Sequence, residues 1–132
     1  DGAITKVTEI EYGNDGNIKG EIVKDSNGNI TSTKEYIIEK DRLGIKTKQI
    51  SKVTDDNGVV NSMSENYYDR YGRITKYVIK DSEEKMTEYG EIQYDSKGNV
   101  KLELTYDKES KLVSTAESIY WIIKFRRLLL KQ

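Results

Sequence analysis

The chain has 132 residues, 22 basic and 23 acidic, a net charge of -1, and no proline, cysteine or histidine. That length suits one domain, and the balanced charge offers no general attraction to nucleic acid or to an anionic membrane. The missing side chains exclude a disulfide framework, thiolate metal sites, thiol nucleophiles and the commonest general base.

Nine short strands are predicted, roughly 4–12, 18–24, 30–40, 45–54, 59–68, 74–80, 86–94, 100–106 and 112–125. They are rich in Thr, Ile, Val and Tyr and alternate in polarity, and a helical period fits none of them well. Charged residues make up 34% of the chain, a composition that also suits disorder. The near-zero net charge and the regular recurrence of Tyr, Ile and Val oppose that reading.

Between the strands a seven-residue window recurs eight times, beginning at Tyr12, Lys24, Lys40, Thr54, Tyr68, Lys80, Tyr94 and Tyr106. Seven windows carry Asp in the second slot and six carry Gly in the fifth; the sixth and eighth windows have Glu84 and Ser110 there instead. Asp at the first position of a type I turn accepts backbone N–H groups, and Gly three residues later takes a left-handed conformation at little cost. Such a turn followed by a left-handed residue is a common hairpin connection. It predicts Tyr94 opposite Val100 and Tyr106 opposite Leu112. It also predicts positive φ at Gly16, Gly28, Gly44, Gly58, Gly72 and Gly98.

All fifth-slot residues are even-numbered. Because side chains alternate faces with period two, unbroken ladders would put even residues on one face throughout. That face would be the more apolar, holding Ile10, Ile22, Ile38, Ile50, Val78, Leu104 and the first-slot tyrosines. The odd face would be wet, with Tyr67, Tyr77 and Tyr89 as a row across it. The apolar face requires a cover: curling of the sheet, the C-terminal segment, a second copy or further repeats.

At the C-terminal end, 118–125 is apolar on both faces and is expected to be covered. Residues 126–132 form a basic and apolar tail after a single domain of 1–125. The longest apolar stretch, 119–123, is too short to span a bilayer. The fold class is therefore all-β: an antiparallel meander of about nine strands joined by Asp-x-x-Gly turns, a single curved sheet or one closed by the C-terminal segment.

Tyr68-Asp-Arg-Tyr-Gly72-Arg-Ile74-Thr75 and Tyr94-Asp-Ser-Lys-Gly98-Asn-Val100 resemble the Tyr-Asp (YD) repeats of bacterial Rhs-type proteins, with weaker windows extending the likeness from about Tyr12 to Leu112. The resemblance implies an exported, extracellular or cell-surface β scaffold with no catalytic residues to transfer. The hairpin arms here, about 13 residues each, are shorter than the usual family repeat, and three windows hold the full Tyr-Asp pair. In physical style the Lys/Glu/Thr strands are also similar to the single-layer sheets of spirochaetal outer-surface lipoproteins.

No enzyme, cofactor or metal site is expected, because the carboxylates fall in turn slots or among alternating surface positions. Asp25-Ser-Asn27-Gly28 and Asp55-Asp56-Asn57-Gly58 hint at calcium loops, but their Asp-to-Gly spacing is what the turn alone requires. Lys46, Lys48 and Lys52 read as edge protection or a solvated face. Tyr67, Tyr77, Tyr89 and Tyr71 are the candidate ligand-binding residues, able to stack on sugar or peptide if exposed in a row; cross-strand packing is the plainer account. The expected function is a non-enzymatic exported scaffold or interaction surface. The alternative is a small carbohydrate- or peptide-binding module. A protein or glycan partner, or self-association through the more apolar face, would follow; nucleic acid would not.

Overall fold

The computed structural model describes residues 2–117. Nine strands form one antiparallel sheet in sequence order: β1 (Lys6–Tyr12), β2 (Ile18–Asp25), β3 (Ile30–Lys40), β4 (Lys46–Asp55), β5 (Val60–Tyr68), β6 (Ile74–Lys80), β7 (Met86–Tyr94), β8 (Val100–Asp107) and β9 (Leu112–Glu117). No helix occurs among the described residues, and β1 and β9 are the two edges of an open meander. The predicted strands match these within one or two residues, apart from β9, which is predicted to reach 125. Both the apolar segment 118–125 and the tail 126–132 lie outside the described residues.

The turns form as their sequence dictates. In every hairpin the second-slot N–H donates to the sixth-slot carbonyl, and the fifth-slot N–H donates to the second-slot carbonyl at 3.0–3.2 Å. In seven hairpins the second-slot Asp Oδ1 accepts the N–H groups of the fourth and sixth slots, as Asp69 does from Tyr71 and Arg73. Gly16, Gly28, Gly44, Gly58, Gly72 and Gly98 all have φ between 78° and 85°. Glu84 and Ser110 hold the same left-handed conformation, at 64° and 62°, so the turn persists where the glycine is gone.

The assignment of even residues to one face is wrong. Just before each turn the first and seventh slots pair, as Tyr12 with Ile18 and Tyr94 with Val100. One step further the register shifts, and the residue in the eighth slot has no partner: Lys19, Thr31, Thr47, Asn61, Thr75, Thr87, Lys101 and Val113. This is a second bulge in every hairpin, beyond the one at the turn. At four of them the threonine hydroxyl donates to a carbonyl of the facing strand: Thr31 to Val23, Thr47 to Glu39, Thr75 to Tyr67 and Thr87 to Ile79, at 3.2–3.5 Å. The extra residue makes even positions of one strand partner odd positions of the next, as Ile10 does Glu21. Directly opposed side chains share a face, so parity exchanges at each hairpin.

The consequence is a sheet whose two faces are alike. Successive turns alternate between its two ends and its two faces. The first face carries Tyr12, Ile18, Tyr36, Ile38, Tyr68, Ile74 and Tyr94; the second carries Ile22, Ile50, Tyr67, Val78, Tyr89, Leu104 and Tyr106. The surface expected to drive self-association is thus divided between the two sides. Only Gly20, Ser51, Glu65, Val78 and Gly90 are buried among the described residues, and Val78 is the sole apolar side chain in that set. The described residues form a single layer. What burial it has comes from side chains lying against their cross-strand neighbours.

Candidate functional site

The densest cluster of chemistry lies at the centre of the second face. One row runs across seven strands through direct partners: Ile37, Ile50, Glu65, Val78, Tyr89, Tyr106 and Leu112. A parallel row holds Glu39, Lys48, Tyr67, Lys76, Glu91 and Leu104. The alternation of β4 to β8 sets these side chains on one side, and the bulges bring the rows into line.

Glu65, 7% exposed between Ile50 and Val78, is the hub. Lys80 Nζ lies 2.7 Å from its Oε1, and Lys48 Nζ lies 3.5 Å from its Oε2. The Tyr67 hydroxyl donates to Oε2 at 2.9 Å. Burial alone would raise the Glu65 pKa, but hydrogen bonds from Lys80 and Tyr67 and the charges of Lys48 and Lys80 outweigh it, and the carboxyl sits below its ordinary value. Burial likewise works against the Lys48 charge, and Glu65 reverses the balance, so the Lys48 pKa is raised.

The tyrosines expected to form one row do not. Tyr67 and Tyr89 share the second face, and Tyr106, which is not among the candidate tyrosines, stacks on Tyr89 with ring centroids 4.5 Å apart and planes 10° from parallel. Lys76 Nζ lies between Tyr67 and Tyr89, 5.8 and 5.5 Å from their ring centres, and Lys48 Nζ lies 5.2 Å from Tyr67. Tyr77 is on the opposite face. Its ring covers Gly90, its direct partner, and its hydroxyl reaches Glu88 and Thr105. Tyr71 stands apart at the fifth turn, 66% exposed, with the Arg70 and Arg73 guanidinium carbons 4.8 and 5.1 Å from its ring centre.

Lys48 and Lys52 share the second face, where Lys48 partners Glu39 and Tyr67, and Lys52 partners Glu35 and Met63. They lie on a central strand, so edge protection is not their role. Lys46 is on the first face, its Nζ 4.0 Å from the Tyr68 ring centre.

The threonines of the eighth slot carry part of the signal. Bulges at Thr75 and Thr87 exchange parity at the fifth and sixth hairpins and so separate Tyr77 from Tyr67 and Tyr89; the bulge that brings Tyr106 to Tyr89 falls at Lys101, which carries no such mark. The rings that do meet are occupied by one another and by lysines. The cluster is chemically a neutralised charge hub beside an aromatic stack. Among the described residues, no three acidic side chains converge as a metal site, and the Asp25 and Asp55 carboxylates accept the N–H groups of their own turns.

No protein-family model matches the chain, and no curated protein is similar to it. Among solved structures the chain is similar to a crystal structure of a protein with unknown function from Bacteroides fragilis NCTC 9343, with 8% identity, a TM-score of 0.64, and coverage of 89% of this chain and 95% of that one. At that identity the likeness is one of fold alone.

Proposed function

We propose that the chain is a non-catalytic, exported bacterial β-repeat domain that acts as a scaffold and interaction surface. The observation that carries this reading is the single layer. A sheet exposed on both sides spreads its side chains over two broad surfaces, roughly 38 Å across its nine strands at the usual strand spacing. Enzymes instead gather reacting groups in a concave, water-excluded pocket. The most shielded carboxylate, Glu65, is held by two lysines and a tyrosine hydroxyl, an arrangement that keeps it charged and leaves it poorly suited to proton transfer. The resemblance to Tyr-Asp repeats supports export and a surface location. The alternative, a module binding through Tyr67, Tyr77, Tyr89 and Tyr71, has less support, since those rings are split between two faces and a turn.

Two measurements test this reading. Protease added to intact bacteria carrying the native gene should digest the protein; complete protection in unlysed cells would refute export. Chromogenic glycoside, ester and peptide substrates should show no turnover. Turnover that disappears in Glu65→Gln would refute the non-catalytic assignment.

A further inference from the structure

In seven of the eight hairpins the seventh slot is Ile, Val, Met or Leu; in the third it is Lys46. Lys46 stands directly opposite Lys40, and like charges so placed destabilise a hairpin. The first hairpin departs from the pattern as well. Its second slot is Gly13, and its aspartate is displaced to Asp15 in the fourth slot. Asp15 Oδ2 lies 3.5 Å from Lys40 Nζ, and Asp15 also accepts from the backbone and side chain of Asn17.

These two departures meet in space. β2 has 8 residues and β3 has 11, so the third turn projects beyond the first. A groove of about 600 Å³ opens between them on the first face. Ile18, Ile38 and Tyr36 line it with apolar surface; Lys40, Lys46, Gln49 and Asn17 supply its polar groups. Lys46 Nζ is oriented by the Gln49 Oε1 at 3.3 Å and by the Tyr68 ring.

We propose that this groove is a binding site for a carboxylate-bearing glycan of the uronic-acid class. Lys46 suits the carboxylate, with Lys40, already paired with Asp15, directly opposite it; the Asn17 and Gln49 amides suit hydroxyl groups, and the apolar lining suits the C–H face of a sugar ring. An acidic peptide fits less well. Peptides recognised by sheets add along a free edge, whereas this groove lies on a face between strands already paired. The inference rests on the reading of the chain as an interaction module and names a ligand class for it.

The test is a titration of the full chain with a galacturonate hexamer, followed by backbone amide shifts of Asn17, Lys40, Lys46 and Gln49. A neutral galactose hexamer and a hexaglutamate peptide serve as comparison ligands. The acidic hexamer should bind at least about tenfold more tightly than either, with affinity falling as salt rises. Lys40→Gln combined with Lys46→Gln should lose binding. Lys46→Ile installs the residue class of the other seven hairpins, so it should also lose binding while melting no lower than the parent. Absence of binding by the acidic hexamer, binding retained in the double variant, or equal binding of hexaglutamate would each overturn the proposal. So would a Lys46→Ile variant that melts lower, since Lys46 would then be a structural residue. The readout is local to the groove, so a negative result removes this ligand and leaves the protease and turnover results to decide the broader reading.

Discussion

The middle of the sheet and its two ends are built from the same hairpin unit, yet they differ in what they bury. Strands β4 to β7 contain Ser51, Glu65, Val78 and Gly90, all buried. Strands β1 and β9 are exposed at every position. In a single layer a side chain is covered only by its neighbours along the row, so a residue on an edge strand loses half of its cover. The comparison teaches that stability here is a property of the row. The ends should fray first, with backbone amides of β5 and β6 exchanging most slowly and those of β1 and β9 fastest.

The largest expected effect comes from closing the space over a central glycine. A side chain at Gly90 would run into the Tyr77 ring, so Gly90→Val should cost about 2–3 kcal/mol. A urea melt checks this, and a cost near zero would mean that the Tyr77 ring swings aside freely.

Next is the charge hub. Glu65→Ala would leave Lys48 and Lys80 without their shared partner and should cost about 2 kcal/mol; the loss stays modest because both lysines retain contact with water. The pH dependence follows from the direction of the shift. Because the folded-state pKa of Glu65 is depressed, its contribution is fully present above the ordinary glutamate pKa of the unfolded chain. It is lost as pH falls through the lower folded value. Glu65→Gln should therefore flatten part of the acid limb of a plot of Tm against pH, and an unchanged limb would remove Glu65 from the account.

The same deletion made in two places isolates the comparison itself. Val78→Ala, at 8% exposure, should cost about 1–2 kcal/mol, and Val7→Ala, at 40% exposure on β1, less than about 0.5. Equal losses would show that the edge is as well supported as the middle.

One effect runs in the opposite direction. Glu84→Gly and Ser110→Gly relieve a left-handed conformation in residues that carry Cβ, and each should stabilise by about 0.5–1 kcal/mol. A loss in either would mean that its side chain contributes more than the backbone strain takes away.

Turn positions, the order of strands and, up to the start of β9, the strand bounds to within two residues followed from the amino-acid sequence alone, because each hairpin closes within a seven-residue window. The Asp carboxylate, the two backbone bonds and the left-handed fifth slot are all local, and they hold even where Gly has become Glu84 or Ser110. The face on which a residue lies is not local. It depends on whether the eighth-slot residue enters the ladder, and that is decided between the two strands: Thr75 reaches the Tyr67 carbonyl, yet the same shift occurs at Lys19, Asn61, Lys101 and Val113. One unpaired residue per hairpin was enough to separate Tyr77 from Tyr67 and Tyr89, to unite Tyr89 with Tyr106, and to surround Glu65 with Lys48 and Lys80. The groove at Lys40 and Lys46 has the same origin. The third window by itself sets Lys46 opposite Lys40, but only the unequal lengths of β2 and β3 in the assembled sheet bring the displaced Asp15 to Lys40.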